Sequence, residues 1–306
     1  MHIQWYPGHM HKASKEIKEI LPRIDLIIEV IDARIPYSSQ NPMLSTLRGD
    51  IPCIRVLSKT DLADPEKTEL WQNYLELEQG VKTLAVTTEQ PEKIKLIMPL
   101  CQKMVPEKGT NDKTIKVLIM GIPNVGKSTI INVLADRIIA KTGNEPAVTK
   151  RQQRITLKNN IILSDTPGLL WPKVENQNSA YRLATTGAIK DTALSYDDIA
   201  FFAAEYLLEH YPQQLKARYQ LDQIPNDEAD LMEAIGRKRG CLRAGKQVDI
   251  EKTSKILISE LRAGTIGGIT LETPEIIEKE LQALAIIQEQ KAAKKASRKQ
   301  KWKASS

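Results

Sequence analysis

A chain of 306 residues with 41% apolar content is long enough to bury a large core and to divide into two domains. Its longest apolar runs, Leu26 to Ile31 and Val117 to Met120, fall far short of the roughly 20 residues that cross a bilayer, so no membrane span is expected. The net charge of +6 belongs to residues 291–306, which carry Lys291, Lys294, Lys295, Arg298, Lys299, Lys301 and Lys303 and no acid, and without those seven the chain holds 37 basic against 38 acidic residues. Such a tail either gains affinity for a polyanion by releasing counterions or is a solvated helix end. Cys53, Cys101 and Cys241 are odd in number and widely spaced, a pattern of reduced thiols and not of disulfides or metal ligands. The first ten residues have neither an apolar signal core nor an Arg-rich amphipathic pattern, so a cytoplasmic location is expected.

In chain order, Ala13, Ile17, Ile20, Leu21 and Ile24 lie at helical spacing among Lys and Glu, which predicts a surface helix ending near Pro22. Buried strands are predicted at 26–31, 53–57, 83–86 and 115–120, with helices at 65–77 and 92–104 between them. That alternation is the βαβ signature of a parallel sheet covered on both faces. Residues 106–113, with Gly109, Asn111 and Asp112, read as a polar connector, and a helix from Lys127 precedes strands at 153–157 and 161–164. After Pro172 the pattern is helical throughout: 180–189, 196–211, 212–218, 229–237, 249–263 and one long charged helix over 274–306.

Gly121-Ile-Pro-Asn-Val-Gly126-Lys127-Ser128 fits G-x-x-x-x-G-K-[ST] between a predicted strand and a predicted helix, the context this motif requires. Its glycines let backbone amides approach phosphate oxygens, Lys127 reaches the β- and γ-phosphates, and the Ser128 hydroxyl ligates Mg²⁺ at a helix N-terminus. Asn124, Val125, Gly126 and Thr129 belong to the same cradle. Asp165-Thr-Pro-Gly168 ends the strand at 161–164, so Asp165 is placed to serve the Mg²⁺ shell and the Gly168 amide to sense a γ-phosphate. In the polar stretch 141–149, Thr142 and Thr149 are hydroxyls available to that shell; Thr149 is favoured by Pro146 and the strand that follows.

Guanine is read in many P-loop GTPases by an N-K-x-D element whose Asp accepts from N1–H and the 2-amino group. Here Ser58-Lys59-Thr60-Asp61 follows a strand, with Lys59 expected over the purine ring, Asp61 as the discriminating acceptor and Ser58 where an asparagine is usual. Thr88, after the strand at 83–86, is placed to offer backbone contacts to O6. This base element precedes the phosphate loop, so the usual chain order has been cut and rejoined, with the 106–113 connector as the splice.

The motifs WYPGHM, DARIPYSSQNPML, SKTD, GIPNVGKST, DTPGLLWPK and TGAIKD together resemble the circularly permuted GTPases of the YlqF/RbgA ribosome-assembly family over about residues 1–270. The resemblance implies a GTPase with an α/β domain followed by a helical one, GTP and GDP as substrate and product, and action in maturation of the large ribosomal subunit. Its partners would then be a large-subunit precursor, through rRNA and ribosomal proteins, and no membrane, with the chain a monomer off the ribosome. It further implies that Asn124 helps hold a potassium ion beside the phosphates, where turn geometry is the plain alternative. The expected fold class is thus α/β. A circularly permuted P-loop GTPase domain, a mostly parallel sheet with helices on both faces, spans 1–175, an all-helical and RNA-binding domain 176–273, and a charged helix with a basic tail 274–306. The alternative function is a nucleotide-gated RNA-binding protein with little hydrolysis.

Leu169 and Leu170 stand after Gly168, where many GTPases carry a water-orienting glutamine, and neither can hydrogen-bond. Pro7-Gly8-His9-Met10 offers an imidazole on a turn, readable as an exposed terminal residue or as the group that positions the attacking water. The resemblance implies the second role for His9.

Overall fold

The computed structural model describes residues 17–108, 113–139, 153–166, 174, 176–189 and 195–304. Six strands form one sheet: β1 (Leu26–Asp32), β2 (Cys53–Ser58), β3 (Val81–Ala85), β4 (Ile115–Gly121), β5 (Gln153–Thr156) and β6 (Ile161–Asp165), in the order β3-β2-β1-β4-β6-β5. All neighbours are parallel except β5 against β6. Every residue of β1 and β2 is buried, as expected of central parallel strands covered on both faces. β3 corrects the expectation of a buried strand at 83–86: it begins at Val81, lies at the sheet edge and buries only that residue.

The chain runs outward from β1 through β2 to β3, then returns to the other side of β1 for β4 and β6. β1 and β4 therefore flank a topological switch point, where open α/β sheets bind ligands beyond the carboxyl ends of their strands. The register sets those ends in a row, with Asp32 opposite Ser58, Val30 opposite Gly121 and Ile119 opposite Asp165.

The helices around the sheet are α1 (Pro42–Leu47), α2 (Pro65–Leu75), α3 (Pro91–Lys95), α4 (Ile97–Met104) and α5 (Lys127–Leu134). The single helix expected at 92–104 is two, because Pro99 has no N–H for the carbonyl of Lys95, and the ladder breaks at Leu96. α1 was not expected; six residues are too few to show a periodicity. Alternation along β1 sends Ile28 and Val30 into one apolar cluster with Ile94, Ile97 and Ile130, and Ile27 and Ile31 into two smaller clusters on the opposite face, around Leu44 and Trp71.

The later helices are α6 (Gln177–Thr185), α7 (Tyr196–His210), α8 (Pro212–Tyr219), α9 (Glu228–Lys238), α10 (Ile250–Arg262) and α11 (Pro274–Ala304). Ile199, Leu207 and Leu257 join the same cluster as Ile28 and Val30, so the sheet and the helical half share one apolar core. Residues Ile269, Thr270, Leu271 and Glu272 are buried against the sheet domain: Ile269 N–H donates to Leu62 O at 3.0 Å and Leu271 N–H to Arg34 O at 2.8 Å. Gly268 permits this approach, since a Cβ there would sit 2.5 Å from Ala63 O. Cys53, Cys101 and Cys241 are unpaired and buried, and among the described residues no helix is long and apolar enough to cross a membrane.

Candidate functional site

β4 delivers the chain to Gly121, where a Cβ would meet Val30 O at 2.7 Å, so only glycine lets the strand turn there. The following loop passes through Asn124 (φ 62°) and Gly126 (φ 87°), both left-handed, and enters α5 at Lys127. The first amides of α5 have no intrahelical acceptors, and with the helix dipole they make an anion site. Ser128 and Thr129 are half-buried in that first turn, and Val125 is buried.

Lys127 is buried, and its ammonium donates to the Asp165 carboxylate and, at 2.6 Å, to Thr166 O. Burial pushes the Asp165 carboxyl up, against the downward pull of Lys127. Asp165 is fully buried, yet its Oδ2 has no hydrogen-bond partner. An orphaned carboxylate oxygen near a hydroxyl-bearing helix start is a donor set that suits Mg²⁺, which takes one or two carboxylates and completes its shell with waters and substrate phosphates. Among the described residues no three His, Cys, Asp or Glu side chains gather to hold a metal by themselves.

At the end of β2, the Ser58 hydroxyl lies 2.9 Å from Ile31 O and 2.6 Å from Val125 O. Its single proton can serve either carbonyl, so Ser58 braces the base loop on the phosphate loop. Lys59 follows in the left-handed region (φ 58°), and its Nζ lies 2.9 Å from Asp32 Oδ2. Asp61 and Thr88 are exposed at the same sheet edge.

Sequence reasoning missed Asp32 and Arg34. Arg34 grips Asp32 with Nε on Oδ1 at 2.9 Å and Nη2 on Oδ2 at 2.7 Å, and its backbone N–H adds a third bond to Oδ1 at 3.0 Å. Both side chains are buried. Burial would raise the Asp32 carboxyl, but Arg34 and Lys59 hold it well below the usual carboxylate range. The only sequence signal is DAR within DARIPYSSQNPML, and acid and arginine two apart are too common to stand out.

The phosphate loop and the segment that follows β1 are both tied to the helical half at the end of α6. Asn124 Nδ2 donates to Gly187 O at 2.9 Å, and Arg34 Nη2 to Thr186 O at 3.3 Å. Arg262 takes the carbonyls before them, Thr185 O through Nε at 3.0 Å and Ala184 O through Nη2 at 2.8 Å. Carbonyls at this helix end are thus bonded by cationic and amide groups from three other segments. On the far side of the base loop, Asp64 N–H donates to Thr270 Oγ1 and Tyr211 OH to Asp64 Oδ2.

His9, Thr149 and Gly168, and with them Thr142, lie outside the described residues, as do residues 109–112 of the expected splice. The described groups expected at the site, Ser58, Lys59, Asp61, Thr88, Asn124, Val125, Gly126, Lys127, Ser128, Thr129 and Asp165, stand on the loops, the strand ends and the first turn of α5 at one edge of the sheet.

A family profile described as "50S ribosome-binding GTPase" matches residues 116–225. The chain is 45% identical to a ribosome biogenesis GTPase A from Priestia megaterium over 92% of its length and all of the relative's, and 30% identical to one from Thermotoga maritima over 90% of its length and 96% of the relative's. Among solved structures it resembles a GDP-bound YlqF (TM-score 0.61, 26% identity, 85% of this chain and 99% of that one). It also resembles the GNP-bound YlqF from T. maritima (TM-score 0.59, 26% identity, 87% of this chain and 99% of that one).

Proposed function

This chain belongs to the ribosome biogenesis GTPase A family and is a GTPase, and we propose that it binds precursors of the large ribosomal subunit with GTP and leaves them on hydrolysis. The observation that carries this reading is the double tie between nucleotide loops and helical half, Asn124 to Gly187 and Leu62 to Ile269. A change in either loop has a hydrogen-bonded route to the helices. In this reading residues 1–175 form the GTPase domain, 176–273 the RNA-facing helical domain and 274–306 a charged helix whose lysines reach rRNA phosphates. The protein works in the cytoplasm, as a monomer off the ribosome.

Within the site, Lys127 leaves Asp165 for the β- and γ-phosphates, and the α5 amides with Ser128 and Thr129 hold the phosphate oxygens. Asp61 accepts from guanine N1–H and the 2-amino group, Lys59 packs on the ring and the Thr88 backbone meets O6. Gly168 senses the γ-phosphate, and His9 aligns the attacking water. Ser128, Asp165 and Thr149 would hold Mg²⁺, which when bound neutralises charge on the phosphate oxygens. Asn124 would hold K⁺, its amide oriented by the Gly187 carbonyl. The second reading, a nucleotide-gated RNA binder that scarcely hydrolyses, differs only in turnover.

Sedimenting cell lysate through sucrose with GDP or with a non-hydrolysable GTP analogue tests partner and nucleotide control together. The chain is expected with large-subunit precursors under the analogue and near the top of the gradient under GDP. The same distribution under both nucleotides would reject GTP-controlled docking.

A further inference from the structure

We propose that Arg34 is a positioning residue for nucleotide binding: it neutralises Asp32 so that Lys59 is free to leave that carboxylate for the purine ring. The inference rests on the base-reading role given to Lys59 above. Asp32 ends β1 at the switch point between β1 and β4, buried and charged, with two cations on it. Lys59 makes one contact, to Oδ2, and keeps part of its side chain in solvent. Arg34 makes three bonds to the same carboxylate, two of them a planar fork matched to it.

Geometry decides which cation can go. Arg34 is almost fully buried and anchored behind by Thr186 O, while its own carbonyl is held by Leu271 N–H. Lys59 hangs on a left-handed residue at the mouth of the loop. When Lys59 departs, Asp32 keeps a bidentate partner and a backbone N–H, so no unpaired buried charge is created. Without Arg34, the departure of Lys59 would strand a buried carboxylate with no cation on it, an unfavourable state. Lys59 would then be locked on Asp32 and lost to the nucleotide. Because Arg34 also donates to Thr186 O, the same residue ties this setting to the end of α6.

The test compares GDP affinity by titration calorimetry in the full chain and four variants. Arg34→Met is expected to weaken GDP binding about tenfold, and Lys59→Met by a similar factor. Adding Asp32→Asn to Arg34→Met removes the charge that traps Lys59 and is expected to restore most of the lost affinity, which a merely structural role for Arg34 would not allow. Unchanged affinity in Arg34→Met, or a double variant as weak as the single, would overturn the proposal. Lys59→Met reports on the underlying reading: unchanged affinity there rejects Lys59 as a base contact, whereas loss there with none in Arg34→Met rejects only Arg34. Should Arg34→Met fail to fold, Asp32→Asn alone decides, since freeing Lys59 is expected to leave GDP binding equal or tighter, and weaker binding overturns the role.

Discussion

Lys127 and Asp165, 38 positions apart, are bonded to each other, with the lysine's remaining contact on Thr166 O. The group proposed to meet the phosphates thus rests on the group proposed to serve magnesium, and a lysine drawn to the nucleotide would leave Asp165 Oδ1 open to the metal beside the unpartnered Oδ2. Asp165→Asn removes both the tether and the metal-shell carboxylate. We expect that variant to bind GDP in EDTA at least as well as the wild type, and to lose the gain in affinity that millimolar magnesium adds. Calorimetric titration with and without the metal checks this. An undiminished magnesium gain in Asp165→Asn would place the metal elsewhere.

Asp61 is exposed in the base loop, and as an acid it is the acceptor proposed for the purine 2-amino group. Asp61→Asn exchanges an acceptor for a group that can also donate, which suits the 2-oxo group of xanthine. Loss of a charged hydrogen bond is worth about 1.5–3 kcal/mol, so GDP affinity should fall about 10- to 150-fold while xanthosine diphosphate gains. Competition between the two nucleotides reads the shift directly. If ADP and GDP compete equally in the wild type, guanine is not read by this loop.

The Asp32 carboxyl, held down by Arg34 and Lys59 against burial, also sets a pH dependence of folding. Its folded pKa is depressed, so the unfolded chain binds the proton first. The stabilisation is therefore fully present above the unfolded value of about 3.9 and is lost as pH falls below it toward the folded value. Urea unfolding between pH 5 and pH 3 should show stability falling more steeply in the wild type than in Asp32→Asn. Parallel slopes would mean that Asp32 carries no such linkage.

How much of this was legible follows from where the causes lie. β1 and β2 were readable because strands buried on both faces must be apolar at nearly every position, and the phosphate loop because its glycines and Lys127 sit at fixed spacing between a strand and a helix. The order of SKTD before GIPNVGKST carried the permutation, which the sheet order accommodates by placing β4 beside β1. The break at Leu96 is readable from Pro99, which has no N–H for the helix ladder. Glu272 was not readable: it is fully buried, accepts from the Tyr37 and Ser38 amides and faces Arg182 at 3.6 Å, partners about 90 to 235 positions away. The same holds for Asn124, whose amide meets the end of a helix 63 residues downstream. Contacts of that range depend on how the helical half docks, and no local pattern encodes them.

We propose that GTP hydrolysis by this chain is coupled to a large-subunit precursor. Phosphate release should be measured at saturating GTP for the full chain alone, with purified large-subunit precursors and with small subunits. Stimulation of tenfold or more by the large-subunit particles alone is predicted, with His9→Ala lowering that stimulated rate by about 10²-fold, the usual size of a water-positioning contribution. Turnover that is the same with either particle as without would contradict the account and leave a nucleotide-gated binding protein in its place.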